Sequence, residues 1–188
     1  MIHSVLIILT QGYADWETPL ISAIGGSFFD VPVRHATPGG GAVTSIAGLH
    51  VTGLPDIAAA DDDVIVLCGG RAWTSDNPPA VEDMLRAAHA RGQTVAGICA
   101  ATLALGRAGL FAGAAHTSNG LPFIDEHLPG YVGRDRYRDV PHAVADNRVI
   151  SAPGSAPLSF AVQVLRAAGV GEDDLSQMQQ MLLRERAG

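Results

Sequence analysis

The chain has 188 residues, of which 47% are hydrophobic and 16% charged; this suits one domain with one full core and excludes a disordered chain. The formal net charge is −7 and the twelve basic residues are all arginine, which removes a Schiff-base or P-loop lysine and argues against nucleic acid as the partner. No apolar stretch reaches the roughly 20 residues of a membrane span, and the opening MIHSVLIILT lacks the basic region and cleavage site of a secretion signal, so a cytoplasmic protein is expected.

Ser4 to Leu9 is a continuous apolar run and reads as a buried strand, followed by the loop Thr10-Gln11-Gly12. Asp15 is suited to cap a helix over Trp16 to Ala23, with Glu17 in its first turn and Gly25-Gly26 at its end. Val31 to Ala36 is a second strand, and a hairpin over Val43 to Val51 follows the turn Pro38-Gly39-Gly40-Gly41. Asp61-Asp62-Asp63 leads into Val64 to Cys68, an apolar strand that stops at Gly69-Gly70. Such a stop marks the edge of a ligand crevice in α/β sheets. Asn77-Pro78-Pro79 opens a helix to Ala90. Thr94 to Ile98 is the next strand and Ala100 to Arg107 the next helix. Short strands are expected at Ala115 to Ser118 and Val149 to Ser151, and around Arg134, Arg136 and Arg138 as a solvated edge. Ser155 to Ala167 and Asp173 to Glu185 close the chain as helices. Strands alternating with helices specify an α/β domain with a doubly wound, mostly parallel sheet and helices on both faces, without repeat or linker.

The chemistry concentrates at Val95-Ala96-Gly97-Ile98-Cys99-Ala100-Ala101-Thr102. A buried strand runs into Cys99 and a helix of small residues follows at once, the logic of a nucleophile elbow. The turn points the sulfur out at the carboxyl edge of the sheet. There the helix N-terminus favours thiolate and is expected to lower the Cys99 pKa. The Ala100 N–H can face an oxyanion, and the backbone of Gly69-Gly70, at the end of another parallel strand, can supply a second donor. Cys68 belongs to its strand and reads as core. Two cysteines and scattered histidines make neither a disulfide framework nor a metal site, and no cofactor is expected.

Asp15-Trp16-Glu17, Val64 to Gly70, the elbow Ala96 to Thr102, His116-Thr117-Ser118-Asn119, and Ser151 to Ala161 follow one another along the chain. In this order and spacing they resemble the ThiJ/PfpI superfamily, relatives of class I glutamine amidotransferases. The resemblance covers essentially the whole chain. It implies a flavodoxin-like, class I glutamine amidotransferase-like fold, with Cys99 as the nucleophilic or redox cysteine and Glu17 hydrogen-bonded to it. It implies an oxyanion-hole-like site at the N–H groups of Gly70 and Ala100, and a homodimer with the site near its interface. Glu17 also follows the first strand on the same sheet edge as Cys99, where burial beside a thiolate raises a carboxyl pKa.

The chain departs from that pattern where hydrolytic members carry a histidine. Ala100 stands directly after the cysteine, and Asn119 stands at the end of the strand after the elbow helix. An amide can hydrogen-bond sulfur or a carbonyl but is no base at neutral pH. His116 is the nearest candidate base in sequence, but reads rather as a surface or packed side chain. Arg71 and Trp73 after Gly70, and Trp16 beside Glu17, are candidate pocket walls, with Arg71 suited to an anionic group. Three functions compete. In one, an enzyme attacks a small carbonyl or amide through Cys99. In the second, a redox or stress protein holds Cys99 as a sulfinate, with little turnover. In the third, a small-molecule binding module keeps the fold without catalysis.

Overall fold

The computed structural model describes residues 2–61 and 63–184. Asp62 and the expected helix end Glu185 lie outside the described residues. Five strands form a parallel sheet: β1 (Val5–Ile8), β2 (Val33–Ala36), β5 (Val64–Leu67), β6 (Val95–Ile98) and β8 (Val149–Ala152). A sixth, β7 (Val144–Asp146), pairs antiparallel with β8 at the edge, giving the order β2-β1-β5-β6-β8-β7. Strands β3 (Gly41–Thr44) and β4 (His50–Leu54) make a separate hairpin. The helices are α1 (Gly26–Phe28), α2 (Glu82–Ala90), α3 (Thr102–Arg107), α4 (Leu121–His127), α5 (Pro157–Ala167) and α6 (Glu172–Leu183).

The apolar runs are continuous because both faces of the sheet are covered. Val5, Ile7, Val64 and Val66 pack with Phe160, Val164 and Leu165 of α5 and with Leu175 of α6. Leu6, Ile8, Ile65 and Leu67 pack with Leu85 of α2 and with Ala101, Ala104 and Leu105 beyond the elbow. Ile65 is fully buried, so trimming it to alanine would cost about 2–5 kcal/mol in lost transfer and cavity terms. Parallel strands in this order bring the carboxyl ends of β1, β5, β6 and β8 to one edge, and the site forms on the loops that leave them.

The structure differs from the sequence expectations at several points. Asp15 caps no helix: its carboxylate accepts the Ala47 N–H at 3.0 Å and ties its loop to the hairpin. Residues 15–18 turn, and helical structure begins as a π-helical segment, Leu20–Gly25, that runs on through Gly25-Gly26 into α1. Gly25 fits inside the helix because a side chain there would meet Leu165 at 2.7 Å. Helix α2 starts at Glu82, with Val81 before it outside helical geometry at φ −121° and ψ 0°, and not at the expected Asn77-Pro78-Pro79. The expected strand over Ala115 to Ser118 is one bridge between His116 and Tyr137. Arg134–Arg136 is a 3-10 turn in place of a strand edge, with Arg134 paired to Asp125.

Candidate active site

Cys99 follows β6 directly. Its φ of +58° is left-handed, a conformation that costs a side chain about 1–2 kcal/mol and that the surrounding fold must enforce. Extended Ile98 enters the turn and helical Thr102 leaves it, so the sulfur is turned out of the strand while the backbone continues into α3. The Thr102 hydroxyl holds the turn by donating to the Cys99 carbonyl at 2.7 Å.

Glu17 is fully buried. Its Oε2 accepts the Gly69 N–H at 2.6 Å. Its Oε1 makes no hydrogen bond to a described residue of its own and lies in the pocket that holds the Cys99 sulfur. A side chain added at Gly154 would begin 2.8 Å from Sγ and 3.3 Å from Oε1, so only glycine lets the three groups meet. Burial pushes the Glu17 carboxyl up to about 7, against the lowering effect of its contacts with Cys99 and Gly69. Burial first, and the Glu17 charge second, push the Cys99 thiol up to about 11, while Asn119 and the Ala100 N–H favour the thiolate. The lowered thiol pKa expected from the helix N-terminus is therefore overturned: desolvation and a neighbouring carboxylate outweigh a short helix. With Glu17 neutral the repulsion disappears, so the two groups titrate as one pair.

Asn119 stands beside this pair. Its Nδ2 donates to the Cys99 sulfur at 3.3 Å, and its Oδ1 accepts the Gly154 N–H at 2.9 Å. That second bond fixes the amide so that its donor end meets sulfur. Trp16 is half-exposed and donates from its indole N–H to the Gly154 carbonyl at 3.0 Å. Gly70 bridges to Tyr13, and its own N–H makes no hydrogen bond to a described residue. Arg71 is exposed and lies with its alkyl chain on Gly12. Trp73 walls no ligand pocket: it is fully buried, with its indole N–H on the Cys68 carbonyl at 2.8 Å, and braces the loop from the core.

Cys68 is closer to the chemistry than its place in a strand implied. Its thiol donates to the Ala14 carbonyl at 3.5 Å and contacts Glu17 Oε2 at 3.9 Å, and burial raises its pKa strongly. The alternation of β5, which turns Cys68 to the same face as Val64 and Val66, carries that signal. His116 is no base for Cys99. It is buried, stacked on Phe111 at 3.8 Å, hydrogen-bonded to the Ala114 carbonyl at 3.0 Å, and held by burial below its usual pKa. An open cleft of about 440 Å³ adjoins the site, formed by residues 118–120, 139–141, Pro153 and Ser155. Among the described residues no group of three or more His, Cys, Asp or Glu is arranged to hold a metal ion, and no helix is long and apolar enough to cross a membrane.

Strand order and elbow together define the class I glutamine amidotransferase-like architecture. The DJ-1/PfpI family model matches residues 3–167, and the chain belongs to that family. It is 36% identical over 137 residues to the uncharacterized protease YoaZ of Bacillus subtilis, a match over 70% of this chain that spans only 64% of that relative's length. Among solved structures, it superposes on the DJ-1 superfamily protein Atu0886 of Agrobacterium tumefaciens with a TM-score of 0.90 and 37% identity, covering 98% of this chain and 99% of the other. A thiJ/pfpI family protein of Bacillus anthracis gives a TM-score of 0.83 at 27% identity, covering 93% and 87%.

Proposed function

We propose that the protein is a cysteine-dependent enzyme that acts on a small carbonyl or amide compound through Cys99. The observation that carries this reading is the left-handed elbow at Cys99 beside a buried carboxyl whose Oε1 has no hydrogen-bond partner among the described residues. In the proposed step the thiol proton passes to Glu17 as sulfur attacks the carbonyl carbon. An S–C bond forms and the carbonyl π pair moves to oxygen, where the Gly70 and Ala100 N–H groups collect its charge. For an amide, Glu17 returns the proton to the leaving nitrogen, the C–N bond breaks, and water then cleaves the thioester. Asn119 orients the sulfur and takes no proton. A carboxyl held near neutrality by burial, about 7 at Glu17, suits this shuttle.

A screen of small aldehydes and amides with the wild type and Cys99→Ala tests the proposal. Turnover abolished in Cys99→Ala supports it; equal turnover in the variant removes Cys99 from the reaction. A second reading draws on the same Glu17: a neutral carboxyl is a donor for a sulfinate at Cys99. Peroxide treatment followed by mass spectrometry distinguishes it, by a gain of two oxygen atoms on Cys99 that halts there. The homodimer belongs to this proposal as well. Trp16, Ile46 and Leu49 are exposed apolar side chains on loops joined by the Ile46 N–H to the Tyr13 carbonyl at 2.8 Å. A partner subunit would cover them beside the site.

A further inference from the structure

Resting on that reading of Cys99, we infer that the cleft beside the sulfur is the substrate's route and selects for a neutral or cationic group, with Asp139 as the specificity-determining residue. Cleft and sulfur share a wall. Asn119 lines the cleft and donates to Sγ at 3.3 Å. Pro153 and Ser155 also line it, and between them lies Gly154, where a side chain would begin 2.8 Å from the sulfur. A molecule seated there rests against the segment that covers Sγ. Among the described residues that line the cleft none is basic, and Asp139 is the one ionisable residue. The Asp139 carboxylate is exposed and makes no ion pair or hydrogen bond to a described residue. The other polar groups are hydroxyls and an amide, which accept as readily as they donate. An unpaired carboxylate at such a mouth attracts a cationic group and repels an anionic one. Arg71, the residue suited to an anion, is not among the residues that line the cleft.

Thiol reagents that differ only in charge read this directly. Three methanethiosulfonates carry a trimethylammonium group, a sulfonate group, or no charge. In each, the Cys99 thiolate attacks the sulfenyl sulfur, a disulfide forms, and methanesulfinate leaves. Each rate is divided by that of 2-mercaptoethanol with the same reagent, at a salt concentration of about 0.1 M that screens charges beyond about 10 Å. Cys68 is fully buried, and Cys99→Ser checks that labelling reports Cys99. The cationic reagent is expected to outpace the anionic one by about threefold or more. Asp139→Asn should bring the ratio close to one, and Asp139→Lys should invert it. A wild-type ratio at or below one overturns the inference and assigns charge selection to Arg71. A ratio unchanged in Asp139→Asn also overturns it and leaves the overall charge of −7 as its source. These outcomes are separate from the fate of the enzyme reading, which is decided by turnover in Cys99→Ala.

Discussion

Glu17 and Cys99 lie in one buried pocket closed by Gly154, so near that each side chain shifts the ionisation of the other. The effects oppose: an ionised Glu17 holds the thiol proton on, and a neutral Glu17 can donate to the thiolate.

Replacing Glu17 by glutamine separates these effects. The amide keeps an acceptor for the Gly69 N–H and presents its NH2 group to sulfur. With the charge gone, Cys99 alkylation by iodoacetamide at about pH 8–9 is expected to speed up about tenfold, one pKa unit of thiolate. Turnover of any carbonyl or amide substrate should fall, because the proton shuttle is lost. An alkylation profile identical to wild type would separate Glu17 from the sulfur.

The same carboxyl makes stability depend on pH. Its folded pKa of about 7 lies above the ordinary 4.5, so the folded state favours the neutral acid. That contribution is fully present below about pH 4.5 and is lost as pH rises to about 7, amounting to about 3 kcal/mol at the upper limit. Urea unfolding from pH 4.5 to 8 should show this decline in the wild type and lose it in Glu17→Gln. Equal slopes in the two proteins would contradict the assignment.

Asn119 offers sulfur a donor that only the thiolate uses fully. Asn119→Ala should slow Cys99 alkylation near pH 8 by about tenfold, the weight of a hydrogen bond to a charged group. Asn119→Asp should slow it further by adding a second carboxylate. Faster labelling in Asn119→Asp would mean that the amide does not govern the thiolate.

The left-handed turn at Cys99 predicts a stability difference between two variants that both lack the thiol. Cys99→Gly relieves the strain and Cys99→Ala keeps it, so the glycine variant should be the more stable by about 1 kcal/mol in urea. A more stable alanine variant would argue against a strained elbow.

Most of the sheet is legible in the sequence, because β1 and β5 are uninterrupted apolar runs and β6 runs straight into the elbow, while β8 is apolar but for Ser151. The elbow itself is legible from the small residues after Cys99. Less legible are elements held by tertiary contacts. Strand β7 is three residues long with two of them exposed, and it exists through pairing with β8 across the left-handed pair Asn147-Arg148. Helix α4 begins at Leu121, after Gly120, without a side-chain cap to announce it. At the site, periodicity puts Glu17 and Asn119 on the correct edge. It cannot give the desolvation that raises the Cys99 pKa, because that depends on how tightly Gly154, a residue far along the chain, closes the pocket.

The loops around the sulfur come from positions 17, 69, 119 and 154, which span most of the chain. Long-range contacts of this kind form late in folding. A chain emerging from the ribosome without β8 lacks Gly154, and with it the backbone that closes over the Cys99 sulfur. The shielded thiol is thus a property of the completed sheet, and its access to reagents reports whether β8 has docked.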